Sequence, residues 1–425
     1  MSMQVAGTNA HERVAVLLAR LLIVAISLCP LAAAAAGHGS ALLQQVAKLE
    51  DPSGPGDNRF GFAAAVSIDG RTALVGSRGD NPQGLHSSGA AHVYRRIHGA
   101  WVHEAKLLPP EPVAEGFFGV AVALSGDGNL ALVGASSFFA FCGEPICGGA
   151  AYFFERDRRG QWHLIQTLTS PDGGLTDAFG MGVALSVSGR VAAIGASRAG
   201  CPLGDPCGAV FVFELRHETW QLQQRLAPQT PDPFVSSFGT AVSTSLAGRT
   251  VLVGAEGAAF VFGREGQQWT EQAKLQQPSF TFGRSVALSG SGRTALVGQE
   301  GAAFVYTRDE NGWNTGQQLV PGQLGVTDVA VAIATNGRQA LLGASPAITC
   351  PNIGNCVALR LDLEDDSWTL RQTLTSSDSG GDNSFGDAVS LSATGKVALI
   401  GGAFQACFSN PGVCNGAAYI FQAVP

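Results

Sequence analysis

The chain has 425 residues, of which 26 are Lys or Arg and 33 are Asp or Glu, so its formal net charge is −7. A mildly acidic chain of this size has no electrostatic basis for binding nucleic acid. Only 14% of the residues are charged while 56 are glycine. This composition favours many short strands joined by tight turns and argues against a disordered protein.

The first predicted element is a secretory signal peptide in residues 1–36. Two arginines precede an apolar run, and alanines with A-x-A patterns follow it, so we expect cleavage near Ala36. A membrane anchor is the alternative, but Pro30 breaks the run and few bulky apolar residues remain to span a bilayer. A lipoprotein would need a small residue before Cys29, where Leu28 stands. We therefore expect a secreted, periplasmic or cell-surface protein.

The remaining chain is built from seven repeats, each of which begins with Phe-Gly or its remnant. The remnant is Val326-Thr327, where VTDVAVAIATNGRQALLGAS aligns with FGRSVALSGSGRTALVGQE. The six intact pairs are Phe60-Gly61, Phe118-Gly119, Phe179-Gly180, Phe238-Gly239, Phe282-Gly283 and Phe385-Gly386.

Each repeat predicts four strands. The first alternates apolar and small residues, and a tight S-x-x-G turn leads to a second strand that ends in glycine. The third strand opens with Gly-Ala, as in GAAYFF, and the fourth opens with tryptophan. The fourth-strand residues Trp101, Trp162, Trp220, Trp269, Trp313 and Trp368 are all six tryptophans of the chain.

The last repeat lacks a fourth strand, and residues 43–49, LQQVAKL, match the fourth-strand pattern of WVHEAKL with Leu43 at the tryptophan position. We therefore predict an all-β fold, a seven-bladed β-propeller of four-stranded antiparallel blades whose last blade is completed by the N-terminal strand. This closure removes exposed sheet edges, whereas an open solenoid would need capping repeats. The predicted blades are about 60–108, 117–168, 179–227, 238–276, 282–320, 326–374, and 385–422 plus 42–49.

These repeats resemble the FG-GAP family, the propeller repeats of the integrin alpha-chain head and of many bacterial secreted proteins. The shared motifs are Phe-Gly, the Gly-Ala-Ser step at Gly134, Gly195 and Gly343, the Gly-Ala of the third strand, and tryptophan. Two features depart from the family pattern: Gly-Ala-Pro is never complete, and the calcium-binding D-x-D-x-D-G loop is missing. Because calcium takes six to eight oxygen ligands and each S-x-x-G turn supplies at most one carboxylate, we expect no structural calcium, and no other metal or cofactor.

Eight of the nine cysteines form four close pairs. Local disulfides in an oxidising compartment are the expected state. A zinc site would require C-x2-C spacing with a second ligand pair nearby, and neither occurs. The pairs are Cys142/Cys147, Cys201/Cys207, Cys350/Cys356 and Cys407/Cys414.

Loop length predicts which face of the propeller binds a partner. The loops between second and third strands and the connections between blades emerge on one face, the long-loop face, and the S-x-x-G turns emerge on the other, the turn face. The long loops carry a cysteine pair or, in the first blade, SRGDNPQGLHSSG. Stapled loops would lower the ordering cost of binding, although long loops also need support for their own sake.

The candidate ligand-binding residues lie on the long-loop face. Arg78-Gly79-Asp80 spells the tripeptide that cell-surface integrins read, in a loop that we expect to be exposed, although three-residue matches are frequent by chance. Four carboxylates precede Phe-Gly, and we expect each to cap a turn by accepting backbone N–H groups, with ligand contact as the alternative. These carboxylates are Asp57, Glu115, Asp177 and Asp382.

A cation follows six of the seven S-x-x-G turns. These side chains could form a basic ring around the channel mouth, but we expect each to tie its turn to acidic or carbonyl groups of the neighbouring blade. They are Arg71, Arg190, Arg249, Arg293, Arg338 and Lys396.

The sequence contains no G-x-S-x-G, H-E-x-x-H or G-x-x-x-x-G-K motif. His92 occupies an aromatic position of the third strand and predicts a packed core residue, whereas His98 and His103 are expected in solvent. We predict a non-enzymatic, monomeric binding or adhesion module that presents its long-loop face to an extracytoplasmic protein or glycan. One alternative is a hydrolase or lyase at the channel mouth, recognisable by carboxylates and a histidine or tyrosine in one pocket; another is a structural envelope component.

Overall fold

Strands and one 3₁₀ helix make up the regular structure of the computed structural model, which describes residues 41–54, 56–137, 148–200, 208–230, 232–319, 328–345, 356–377, 384–405 and 415–424. The predicted signal peptide lies outside the described residues. Within them, no helix has the length and apolar character that crossing a membrane requires.

The strands of the first three blades follow a short N-terminal strand, β1 (Leu43–Leu49). The first blade contains β2 (Phe60–Val66), β3 (Thr72–Ser77), β4 (Ala90–Ile97) and β5 (Ala100–Leu107), with the 3₁₀ helix (Pro82–Gly84) between β3 and β4. The second contains β6 (Phe118–Leu124), β7 (Leu130–Ala135), β8 (Ala150–Arg156) and β9 (Trp162–Thr169). The third contains β10 (Phe179–Leu185), β11 (Val191–Ala196), β12 (Ala209–Arg216) and β13 (Thr219–Leu226).

Four more blades complete the chain. The fourth contains β14 (Ser236–Thr244), β15 (Thr250–Glu256), β16 (Ala258–Glu265) and β17 (Gln268–Leu275). The fifth contains β18 (Ser285–Leu288), β19 (Thr294–Gln299), β20 (Ala302–Asp309), β21 (Gly312–Trp313) and β22 (Gln317–Gln318). The sixth contains β23 (Asp328–Ile333), β24 (Gln339–Ser345), β25 (Val357–Glu364) and β26 (Ser367–Leu374), and the seventh contains β27 (Ala388–Leu391), β28 (Val397–Gln405) and β29 (Asn415–Ala423).

The strands form seven antiparallel sheets, which confirms the predicted seven-bladed propeller. In six of them the strands are ordered as they occur in the chain. The seventh has the order β1-β29-β28-β27, so the N-terminal strand completes the last blade. Leu43 pairs with Ala423 and Leu49 pairs with Ala418. The ring closure expected from LQQVAKL is therefore confirmed, and Leu43, at the tryptophan position, is 1% exposed.

The Phe-Gly motif makes a bulge at the start of a blade. In the second blade Phe118 pairs with Ala135 and Ala121 pairs with Gly134, so the two residues between them bulge out of the ladder. Gly119 has a φ of 87°, a conformation that favours glycine. Equivalent register shifts occur in the first, third and fourth blades.

The bulge allows each blade to contact the previous one at the backbone. A Cβ atom on Gly134, at the end of β7, would lie 2.0 Å from the carbonyl oxygen of Gly180 in the next blade. The equivalent distance is 2.0 Å for Gly401 and Gly61, which join the last blade to the first. The other second-strand glycines, Gly76, Gly195, Gly254, Gly298 and Gly343, meet the next blade in the same way at 1.9–2.1 Å. Only glycine fits here, which explains its presence in every repeat.

Hydrophobic side chains fill the interfaces between blades. Seven separate clusters of buried residues occur among the described residues, one for each pair of neighbouring blades. Each Phe-Gly phenylalanine packs against an aromatic ring of its own third strand; the ring centroids of Phe118 and Tyr152 are 5.2 Å apart. Between blades, the rings of Phe153 and Trp220 stack at 4.2 Å. The tryptophans of the repeat therefore close the outer part of these interfaces.

The S-x-x-G turns are stabilised by their own serine. The Oγ atom of Ser186 accepts a hydrogen bond of 3.0 Å from the backbone N–H of Val191, and Gly189 has a φ of 64°. The same serine contact occurs in five further blades. In the turns that contain an aspartate, the carboxylates of Asp69 and Asp127 accept hydrogen bonds from the turn serine at 2.6 Å. These carboxylates are thus used within the turn.

Two blades depart from the expected pattern. In the fifth, the fourth strand is split into β21 and β22, because the side chain of Asn314 accepts the N–H of Thr307 in place of a ladder partner. In the sixth, Asp328, Val329 and Ala330 pair with consecutive residues, so no bulge forms. Val326-Thr327 lie outside the described residues, and the carbonyl of Val329 approaches Gly298 instead.

Loss of the closing contact provides a first prediction. Leu43→Ala removes a 1% exposed side chain from the interface that closes the ring, and we expect a loss of about 2–5 kcal/mol in the free energy of unfolding. The neighbouring Leu42 is 50% exposed, so Leu42→Ala should change stability by less than about 0.5 kcal/mol. Urea unfolding measures both. Equal effects of the two substitutions would contradict this closure.

The contact between blades provides a second prediction. Gly134→Ala forces a methyl group against a backbone carbonyl, and we expect a loss of roughly 1–3 kcal/mol. Gly56→Ala is the control, since a Cβ there meets nothing within 4 Å. Thermal unfolding distinguishes them, and a Gly134→Ala protein as stable as the control would show that neighbouring blades do not meet at this glycine.

Candidate functional site

The long-loop face is held together by backbone contacts between blades. Parallel bridges join Gly89 to Phe118, Gly149 to Phe179 and Gly208 to Phe238, each linking the end of a loop to the first strand of the next blade. The loops and the blade connections therefore share one face, as expected. Cys356 is 5% exposed and disulfide-bonded. Its predicted partner lies outside the described residues, as do the other three pairs and Asp382: Cys350, Cys142, Cys147, Cys201, Cys207, Cys407 and Cys414.

Arg78-Gly79-Asp80 is not an exposed tripeptide, so that expectation was wrong. Asp80 is 8% exposed, and its Oδ2 atom lies 2.6 Å from Nζ of Lys106. Gly79 is buried, and its N–H donates to the carbonyl of Asn58 at 3.0 Å. The loop folds back on the blade connection because these backbone and charged groups find their partners there. The tripeptide is consequently not displayed for recognition by another cell.

The side chain of Arg78 is half-buried and lies flat on an aromatic ring. Its guanidinium carbon is 3.7 Å from the ring centroid of Phe62, at the start of the first blade. Burial and the neighbouring Arg59 lower the pKa of Arg78 to about 10, so it remains a cation at neutral pH. The contact is a cation–π interaction that anchors the loop.

The described carboxylates before Phe-Gly behave in three different ways. Asp177 is 3% exposed and accepts the backbone N–H of Gly174 at 3.1 Å, which confirms the expected turn cap. Glu115 instead contacts the imidazole of His86. Asp57 lies 3.8 Å from Nε of Arg59, and the residue that caps its turn is Asn58, whose Oδ1 accepts the N–H of Phe60 at 3.2 Å. The capping prediction was therefore wrong at Glu115 and Asp57.

Sequence reasoning missed a buried polar cluster in the first blade, formed by Asp51, Asp80 and His92. Asp51 and Asp80 are each 8% exposed and His92 is fully buried. Their ligand-type atoms all lie within 4.8 Å of one another. His92 also packs against Phe60 at 5.2 Å between ring centroids, so the prediction of a core residue was confirmed. The cluster was missed because its three residues come from separate segments and have no motif spacing.

The surroundings of this cluster fix its charge. Burial opposes ionisation of Asp80, but attraction to His92 and Lys106 holds the pKa of its carboxyl below the ordinary value. Burial lowers the pKa of His103, whose Nε2 lies 3.3 Å from Nδ1 of His92. His103 therefore lies against the cluster and not in solvent as expected. Chemically the arrangement is suited to holding a cation, and its burial keeps substrates away.

A second feature of the long-loop face is an apolar surface on three successive blade connections. Leu175 is 63% exposed, Phe234 66% and Phe280 72%, and they lie before the third, fourth and fifth blades. Beside Phe234 is a cavity of about 200 Å³ whose lining includes Val235 and Arg225. Charged pairs border this region, with Arg225 Nε 2.9 Å from Asp172 and Lys274 in contact with Asp232. We call Leu175, Phe234 and Phe280 the apolar triad.

The cations of the turn face are exposed and do not tie the turns together. Within the described residues, only one side chain of the set makes a hydrogen bond: Arg338 donates to the carbonyl of Leu363 at 3.0 Å, in its own blade. The expectation of contacts to neighbouring blades was therefore wrong, because the serine and backbone bonds already hold each turn. The exposed cations are Arg71, Arg190, Arg249, Arg293, Arg338 and Lys396.

Comparison with protein families finds one model, described as FG-GAP repeat, that matches the chain in four segments: residues 43–94, 101–154, 162–213 and 368–421. The first two segments begin on a fourth strand and end on the third strand of the following blade. A comparison with curated proteins finds no significant match.

The two kinds of carboxylate differ in predicted energetic role. Asp177→Ala leaves a buried N–H without its acceptor, and we expect a loss of about 1–3 kcal/mol. Glu115→Ala breaks an ion pair whose side chains are 35% and 70% exposed, and should cost less than about 1 kcal/mol. Urea unfolding midpoints measure both. A larger effect at Glu115 than at Asp177 would mean that capping is not what these carboxylates contribute.

Proposed function

Because this chain belongs to the FG-GAP repeat β-propeller family, we propose that it is a secreted, non-enzymatic binding or adhesion module. Its long-loop face would contact an extracytoplasmic protein or glycan, and it would act as a monomer after removal of residues 1–36. The observation that carries this proposal is the apolar triad, which projects from three successive connections on one face.

The chemistry of this surface suits a macromolecular partner. Apolar and aromatic side chains bordered by charged pairs, as in Arg225 with Asp172, have the composition of a binding surface with a polar rim. The adjacent cavity of about 200 Å³ is smaller than the sites of roughly 300–1,000 Å³ that enclose small molecules. It is suited to accept one protruding group of a larger ligand.

The order of the first-blade loop also supports binding. The N–H of Ser87 donates to Oδ1 of Asn81 at 2.6 Å, and the N–H of Glu115 donates to the carbonyl of His86 at 2.8 Å. A loop already held in this way loses little further entropy when a partner binds. The burial of His92 and its carboxylates favours binding over the hydrolase or lyase alternative, because a general acid or base must reach its substrate.

Substitution of the apolar triad tests the proposal. The variant Leu175→Ser/Phe234→Ser/Phe280→Ser should lose at least about tenfold in affinity for glycans or envelope proteins captured by the unmodified protein, since hot-spot contacts contribute 1.4 kcal/mol or more. The matched control Val102→Ser/Leu164→Ser/Leu370→Ser changes side chains that are 45%, 37% and 55% exposed on outer strands. Biolayer interferometry against each captured ligand measures both.

A second variant tests the choice of face. Replacing the cysteine-containing loops by the short connection GAEGAAF should also weaken capture, whereas Arg190→Ser/Arg249→Ser/Arg293→Ser on the turn face should not. If the triad and loop variants bind as well as the unmodified protein while the turn-face variant does not, the binding surface has been assigned to the wrong face.

A further inference from the structure

The cluster of Asp51, Asp80 and His92 contains a buried nitrogen without a partner. Nε2 of His92 lies 3.6 Å from Oδ2 of Asp51 and 3.8 Å from Oδ2 of Asp80, too far for a normal hydrogen bond to either. Within the described residues this nitrogen makes no hydrogen bond. An unsatisfied buried polar atom costs free energy, so a group that bridges these three atoms would stabilise the fold.

The three side chains are already oriented by their neighbours. Nδ1 of His92 lies 3.3 Å from Nε2 of His103, and when it donates there, the Nε2 lone pair faces the two carboxylates. Oδ1 of Asp51 accepts the N–H of Ser53 at 2.8 Å. Metal-ligating histidines and carboxylates are commonly held by such outer hydrogen bonds. Packing of the His92 ring against Phe60 fixes it further.

We propose that Asp51, Asp80 and His92 form a Zn²⁺ site. One imidazole and two carboxylates suit zinc better than calcium, which takes oxygen ligands only and more of them. Zinc–ligand bonds of about 2.0–2.2 Å place tetrahedral ligand atoms roughly 3.4 Å apart. The observed separations of 3.6 and 3.8 Å need to contract by only a few tenths of an ångström.

Lys106 is the competitor for this site. Its ammonium lies 2.6 Å from Oδ2 of Asp80 and 3.8 Å from Oδ2 of Asp51, where it supplies the positive charge that the carboxylates require. The side chain is 25% exposed, so the ammonium can move into solvent and leave an entry path for the ion. A water would then take the remaining coordination position.

The fourth blade shows how the position looks without the histidine. There, Phe260 pairs with Lys274 in the register in which His92 pairs with Lys106, and Lys274 contacts Asp232 in the blade connection. A lysine that pairs with an acidic residue therefore belongs to the scaffold. The histidine is the change that turns this pair into a set of metal ligands, and His92→Phe restores an arrangement that the fold already uses.

The place of the site indicates its role. Asp51 follows β1, the strand that closes the ring, whereas Asp80 and His92 follow and belong to β3 and β4 of the first blade. A bound zinc ion would join the closing segment to the first blade by coordinate bonds. The ion would thus reinforce ring closure, and this role does not depend on the proposed binding function.

The test is zinc binding by the purified chain after treatment with EDTA. Isothermal titration with Zn²⁺ should show one ion per chain, and Zn²⁺ should raise the unfolding temperature, because a ligand that binds the folded state stabilises it. His92→Phe should lose both effects while keeping the metal-free unfolding temperature. Lys106→Gln should bind Zn²⁺ about tenfold more tightly, because the competing ammonium is gone.

Two results would overturn the proposal. One is no uptake of Zn²⁺ by the unmodified protein together with an unchanged unfolding temperature, as expected if the cluster is only an ion-pair network with a protonated His92. The other is Zn²⁺ binding by His92→Phe that equals that of the unmodified protein, which would place the ion elsewhere. Should His92→Phe fail to fold, Asp80→Asn keeps the side-chain shape and must also lose the ion.

Discussion

The architecture depends on the backbone contact between the second strand of one blade and the Phe-Gly bulge of the next. A side chain at Gly134 would collide with the carbonyl of Gly180, and the same holds around the ring to Gly401 and Gly61. Glycine therefore sets how closely blades approach, and the hydrophobic clusters fill the space further out. Because the last contact joins the seventh blade to the first, β1 enters an interface whose partner surfaces are already aligned.

The turn face and the long-loop face differ because their chain reversals are stabilised differently. On the turn face, Ser186 and its equivalents bind their own backbone, so each turn is self-contained and short. On the long-loop face, Gly89 and its equivalents are held by the first strand of the next blade. The ends of each loop are thereby fixed while the length between them is free to vary. The fold itself thus assigns variation, and with it recognition, to one face.

Sequence patterns predicted those features that repeat and missed those that occur once. Seven blades, the position of Leu43 and the packing of His92 followed from alignment of the repeats. The burial of Asp80 did not, because its partner Lys106 lies on a strand 26 residues away in an arrangement that no repeat shares. Likewise, Asn58 caps a turn that Asp57 was expected to cap, since side chains one residue apart point in different directions and only the backbone geometry decides between them.

Repetition also gives a way to recognise function in this molecule. A residue that recurs in most blades, such as the exposed cation of each turn, is explained by descent of the repeat and needs no ligand. A residue that breaks the repeat has to be explained by its own surroundings. His92 stands where Tyr152, Phe211 and Phe260 stand in other blades, and it does so beside two carboxylates that the other blades lack at that point. Burying these groups together costs desolvation free energy that a phenylalanine would avoid. Such a cost at one position of an otherwise regular scaffold is the physical reason for assigning a ligand to it.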